Sequence, residues 1–182
     1  MKYIRNNKGF SYVEMLVVIG IMAVMTGFLA ITIGTANRNN VRRAKESIEA
    51  KFNEARISAM SKGTEKGYLI IARYKGSIYT YVGEMVNPDT VAFYTAEDIS
   101  KRGTKLCSSQ LVIQVGDIEM NSAVGDLVYV KFKQSTGGVA AYSGSDPTPE
   151  LPPQFTISVA NQKNTMVSSF KVYKSTGKIK TE

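Results

Sequence analysis

The residues that could do chemistry in this chain are few, and their spacing is poor for it. Ser168-Ser169-Phe170-Lys171 fits S-x-x-K, and Lys174-Ser175-Thr176-Gly177 is close to a K-T-G element. Together they would supply the nucleophile and base of a serine acylase. However, the two elements nearly abut, the first sits in a strand pattern, and no S-D-N element occurs. Asp117, Glu119 and Asp126 could offer oxygens to calcium, but they lack the ligand order of a known loop and read as a solvated turn. Cys107 is the one cysteine, so no internal disulfide can form. It reads as a small buried hydrophobe rather than an intermolecular link. Histidine is absent. That removes His-based acid–base catalysis and the commonest transition-metal ligand. No catalytic residue, metal site or cofactor is assigned, and a non-enzyme is expected.

One ionisable group stands out by position. Glu14 lies between the basic head Met1–Gly9, which holds Lys2, Arg5 and Lys8, and the uncharged run Met15–Asn37. A carboxylate at the edge of such a run is costly to desolvate and needs a partner. The run has about 23 residues, about 35 Å as a helix, against a hydrocarbon core of about 30 Å. An ordinary secretory signal fits worse, since its apolar core is shorter and its cut follows that core.

The stretch Lys8-Gly9-Phe10-Ser11-Tyr12-Val13-Glu14 resembles the leader of type IV prepilins and pseudopilins. In that family a basic leader ends in glycine, an aromatic or methionine follows, and a glutamate lies five residues into the mature chain. The resemblance implies cleavage between Gly9 and Phe10 by a prepilin peptidase, N-methylation of Phe10, and a part for Glu14 in assembly with other pilin or pseudopilin subunits. It also places the leader in the cytoplasm. The charges alone do not decide this, because Arg38, Arg42, Arg43 and Lys45 follow the run as closely as the leader bases precede it.

The elements that position these residues follow from periodicity. Val41, Ala44, Ile48, Phe52, Ala55 and Ala59 recur at three- and four-residue steps among charged residues, as on an amphipathic helix. Lys62-Gly63 offers a stop. One nearly continuous helix from Phe10 to Lys62 is expected, about 53 residues and about 80 Å long. Tyr68 to Tyr74 and Ser77 to Val82 flank the turn Lys75-Gly76 as a hairpin. Further strands are expected at Leu111–Val115, Leu127–Lys133, Gly138–Tyr142, Phe155–Val159, Val167–Tyr173 and Lys178–Lys180. Residues 84 to 106 are poorly determined, with one candidate strand at Val91–Tyr94. Ser143 to Pro153 is proline-rich and reads as a loop.

The β-rich half is also similar to the H-type minor pseudopilins of type II secretion and related type IV minor pilins. The likeness rests on Asn53-Glu54-Ala55-Arg56-Ile57-Ser58-Ala59-Met60 and on two strand–turn units. These are Val130-Lys131-Phe132 leading to Gly137-Gly138, and Val172-Tyr173 leading to Gly177-Lys178. Unlike many pilins, the chain has no proline partway along its apolar run.

The expected fold is therefore α+β and pilin-like. A long N-terminal helix, membrane-spanning in its first half and amphipathic in its second, packs on an antiparallel β-rich globular domain. The expected segments are a leader 1–9, a transmembrane half 10–37, an amphipathic half 38–62 and a β-rich domain 63–182. The protein is expected to be a single-pass inner-membrane protein with its C-terminal domain outside the cytoplasm, and a periplasmic or surface filament subunit after assembly. A membrane-tethered binding module that never polymerises is the rival.

Two surfaces have open readings. Gly20, Ala23, Gly27, Ala30 and Gly34 share one helix face. They either pack against neighbouring helices or reflect the general tolerance of small residues in lipid. Lys171, Lys174, Lys178 and Lys180 could contact DNA phosphates, but read better as edge lysines that deter strand pairing. The candidate partners are thus prepilin peptidase, other subunits, membrane lipid and DNA. The chain carries 23 basic and 15 acidic residues, a net +8. Loss of the leader would lower that to about +5, an ordinary surface charge.

Overall fold

The computed structural model describes residues 11–87, 92–108, 111–120, 126–143 and 151–181, and within these all side chains but those of 28–37, 108 and 143. Helix α1 runs Tyr12–Lys62. It stops where Gly63 takes a φ of 102°, and a 3-10 turn follows at Thr64–Lys66. The hairpin β1 (Tyr68–Tyr74) and β2 (Ser77–Gly83) comes next. A small ribbon, β3 (Val86–Asn87) with β4 (Ala92–Phe93), leads to α2 (Ala96–Arg102). Then come β5 (Thr104–Ser108), β6 (Leu111–Val115), β7 (Ile118–Met120), β8 (Leu127–Phe132) and β9 (Val139–Ser143). The chain closes with β10 (Gln154–Asn161), β11 (Val167–Tyr173) and β12 (Ile179–Thr181).

Among the described residues the strands form two antiparallel five-stranded sheets and the ribbon. The first sheet has the order β5-β2-β1-β8-β9, the second β12-β11-β10-β6-β7. Inward residues of both sheets share one core with the α1 stripe Val41, Ala44, Ile48, Phe52, Ala55 and Ala59. That stripe is buried because it is the only face of this half of the helix without charge. Phe52 touches both sheets, with ring centroids 4.7 Å from Phe132 and 6.2 Å from Phe170. A second, smaller core lies on the opposite face of the first sheet. There α2 places Ala96 and Ile99 over Tyr68, Ile70 and Ala72 of β1. So β1 is covered on both faces, which is why its sequence is apolar almost without alternation.

The expected fold class is corrected. It held that the first half of the helix crosses a membrane. Among the described residues no helix is long and apolar enough to do so. It also held that the long N-terminal helix packs on an antiparallel β-rich globular domain, as in pilins. The chain instead splits into two compact units, Met1–Arg38 and Asn39–Glu182. Among the described side chains of α1, those of the stripe from Val41 to Ala59 enter the core, where they meet residues of both sheets.

The expected localisation is corrected with it. A single-pass inner-membrane protein, exposing its C-terminal domain and later a periplasmic or surface filament, has no membrane-crossing helix among the described residues to rest on. The descriptive terms tied to that span, transmembrane helix and type II secretion among them, gain nothing from this fold.

Candidate functional site

The candidate site with the most sequence behind it is the start of α1. Gly9 and Phe10 lie outside the described residues. Glu14 is in the first turn and exposed. The Ser11 N–H donates to Glu14 Oε2 at 2.8 Å, and the Val13 N–H donates to Ser11 Oγ at 3.3 Å. Ser11 and Glu14 therefore cap the helix start together, Glu14 taking the Ser11 N–H and Ser11 taking the N–H of Val13 at the second helical position, each an N–H that the helix leaves free. This role of Glu14 was missed above, although serine three residues before glutamate at the head of an apolar run is its sequence signature. The carboxylate also suits the positive end of the helix dipole.

Beyond the cap, α1 presents large apolar side chains on every side. Tyr12, Met15, Leu16, Ile19, Met22 and Met25 are all more than half exposed. Thr26 turns its hydroxyl inward to the carbonyls of Met22 and Ala23, at 2.8 and 3.0 Å. A shallow apolar notch at Gly20 is walled by Val17, Ile21, Val24 and Met25. Within the described part of the chain, a side chain added at Gly20 or Gly27 would meet nothing within 4 Å. Of the small-residue face, Gly20, Ala23 and Gly27 are exposed, while the side chains at Ala30 and Gly34 lie outside the described residues.

The lysine-rich edge does not form a comb of four. Lys171 and Lys180 face each other across β11 and β12. Lys178 precedes β12 and is exposed. Lys174 is turned elsewhere, its ammonium donating to the Leu151 carbonyl at 3.0 Å.

The catalytic imitations come apart as well. Ser168 and Lys171 both lie within β11, not at a helix start. Lys174 to Gly177 form a turn in which the Gly177 N–H donates to Tyr173 O at 2.8 Å. Asp117 accepts from the Tyr142 hydroxyl at 2.9 Å. Burial, with that carboxylate beside it, pushes the Tyr142 phenol up to about 12. Among the described residues no group of three or more potential metal ligands comes together. Cys107 is half-buried, and burial pushes its thiol up to about 11. That leaves it a weak nucleophile near neutral pH.

Some polar features of the core were not legible in advance. Arg73, only 4% exposed, leaves β1 and donates through Nη2 to Leu111 O and Met120 O, at 2.7 and 2.9 Å. It ties the first sheet to the second. Lys45 and Glu49 pair at 3.1 Å near the core, and Glu49 also accepts from the Thr181 hydroxyl at 3.3 Å. Compared with family models, curated proteins and solved structures, the chain matches none.

Proposed function

We propose that this chain is a pilin-like structural subunit, a pseudopilin or minor pilin, of a filament related to type IV pili. It is made as a precursor and cut after Gly9 by a prepilin peptidase, which also methylates Phe10. The observation that carries this reading is the Gly9-Phe10 junction with Glu14 five residues into the chain it would release. The geometry of α1 supports it in two ways. Glu14 sits in the first turn of α1, at the helix end nearest in sequence to the proposed cut. The apolar side chains after it are exposed all round, and exposed apolar surface of that extent calls for a covering partner. Like subunits would supply it. The filament would serve protein secretion, pilus biogenesis or DNA uptake. Its subunit does no chemistry of its own.

The test is to express the chain with and without a prepilin peptidase and weigh the product. The mass should fall to that of a chain beginning at Phe10 and carrying one added methyl group. The cut protein should then appear in sheared filaments. An unchanged mass would remove the reading. A cut chain that never enters filaments would favour a binding module that does not polymerise.

A further inference from the structure

The two sheets differ in what covers their outer faces. Helix α2 packs on the outside of the first. Among the described residues no apolar cluster forms on the outside of the second. There Ile157 and Val159 of β10 face the core, so Ser158 and Ala160 face out. Val112, Ala160 and Val167 are register partners across β6, β10 and β11 and form an apolar row. Glu119, Gln114 and Ser158 form the polar row beside it. The small residues lie on the central strand, so the face dips there. The dip has a volume of about 290 Å³, and Val167 in its wall is 59% exposed.

Glu119 borders this dip. It is exposed and makes no ion pair or hydrogen bond among the described residues. The chain segments beside its strand pair, 109–110 and 121–125, contain no basic residue to neutralise it.

A counterpart lies on another surface of the same unit. Ile57 and Met60 of α1 are 64% and 45% exposed, and three residues apart they are neighbours on the helix surface. Next to them Arg56 lies against Gly137 in the turn after β8. Its Nε is buried with no acceptor, and its other nitrogens make no ion pair or hydrogen bond among the described residues. Arginine and methionine are residues that interfaces favour, and a carboxylate is the acceptor that a guanidinium fork fits. Other occupants of the dip fit less well. No aromatic ring lines it for a sugar or a base to lie on. Among the described residues no group of three or more potential metal ligands comes together.

We propose that the second units of two copies of this chain bind head to tail. Ile57 and Met60 of one copy enter the dip of the next, and Arg56 pairs with Glu119 of that copy. The two surfaces differ, so the contact is heterologous and each bound pair keeps one free knob and one free dip. That the partner is a like subunit rests on the filament reading. The contact itself lies within residues 39–182 and needs no cut at Gly9.

The test is cross-linking of the full, uncut chain in detergent with a short bismaleimide, in a Cys107→Ser background. Chain carrying Met60→Cys is mixed with chain carrying Val167→Cys. The mixture should give a dimer in about fivefold higher yield than either variant alone, or than Met60→Cys mixed with Val86→Cys on the β3–β4 ribbon. Adding Glu119→Lys to the Val167→Cys chain should lower the yield about fivefold, and adding Arg56→Glu to the Met60→Cys chain should then restore it. If Arg56→Glu loses its fold by circular dichroism, Ile57→Asp at its exposed position decides instead, and should lower the yield as Glu119→Lys does. The contact is overturned if the mixture gives no dimer, or if a single variant or the ribbon control gives as much. It is equally overturned if Glu119→Lys or Ile57→Asp has no effect, or if a folded Arg56→Glu does not restore the yield. Peptidase cleavage and entry into filaments are read separately, so a chain that is cut and enters filaments without this cross-link sinks the contact alone.

Discussion

Phe52 and Phe132 meet edge to face, with ring centroids 4.7 Å apart and planes at 81°. Phe52 also lies 6.2 Å from Phe170. The first contact reaches one sheet and the second reaches the other. A single helix residue therefore closes the core from both sides, and all three rings are fully buried. Phe52→Ala should cost about 3–5 kcal/mol, because the cavity has two rigid sheets around it and cannot collapse onto either. Ile57→Ala, on the exposed face of the same helix, should stay within about 0.5 kcal/mol. Urea unfolding of the two variants checks this. Similar midpoints would mean that the helix stripe does not hold the sheets together.

The turns after β8 and β11 are built alike and pressed together. Gly137 and Gly177 have φ of 65° and 60°. In each turn a threonine hydroxyl accepts from the N–H two residues on, Thr136 from Gly138 and Thr176 from Lys178. A side chain at Gly177 would collide with the Gly137 carbonyl. Gly177→Ala should therefore cost well over ~1 kcal/mol, from left-handed backbone as well as from the collision. Gly20→Ala, where the added methyl meets nothing within 4 Å, should cost nothing measurable. Thermal unfolding would separate the two.

These turns show how much of the fold was legible. The units ending in Gly137-Gly138 and Gly177-Lys178 stand out in the sequence because glycine in a short polar turn is local chemistry. Strands at Tyr68–Tyr74, Leu111–Val115 and Val167–Tyr173 lie where β-branched and aromatic runs put them. Helix α2 was not seen, though its start is signalled. Thr95 caps it, accepting from the Asp98 N–H at 3.2 Å, while Asp98 accepts from the Thr95 N–H at 2.9 Å. Its seven residues are too few for periodicity to speak. The split of the strands into two sheets was not legible either, since pairing such as β10 with β6 joins residues that are far apart in the chain. The membrane assignment failed for a different reason. It rested on the length of an uncharged run, and among the described residues no helix meets the requirement.

The Tyr142 phenol and the Cys107 thiol make stability fall at high pH. Both groups have raised values in the folded chain, about 12 against an ordinary 10.0 for Tyr142 and about 11 against 9.0 for Cys107. Their neutral forms are thus favoured by the fold. Between the ordinary and the raised value the unfolded chain binds fewer protons than the folded one, so stability drops as pH rises. The contribution should be complete below pH 9, decline for Cys107 up to about 11 and for Tyr142 up to about 12. Urea midpoints across this range should shift less in Tyr142→Phe and Cys107→Ser. Alkylation of Cys107 should be slow at pH 8 and speed up when urea unfolds the chain. Equal rates in the two states would show that the thiol is not shielded.

Glu14 can act in two ways, and one substitution separates them. As part of the cap at the start of α1 it accepts from the Ser11 N–H, and glutamine can do the same. As a charge it could neutralise the amine that cleavage creates at Phe10, on its own chain or on a neighbour. An α-amino group is largely protonated near neutral pH, and a buried charge left alone is strongly disfavoured. Glu14→Gln keeps the cap and loses the charge, whereas Glu14→Val loses both. Both variants should still be cut after Gly9, since the junction is unchanged. If the charge drives assembly, both should be depleted about tenfold or more from sheared filaments relative to whole cells, when each is the only copy. Should Glu14→Gln enter filaments as well as the parent while Glu14→Val does not, the carboxylate serves as a helix cap, and pairing with the new amine is not what recruits this subunit.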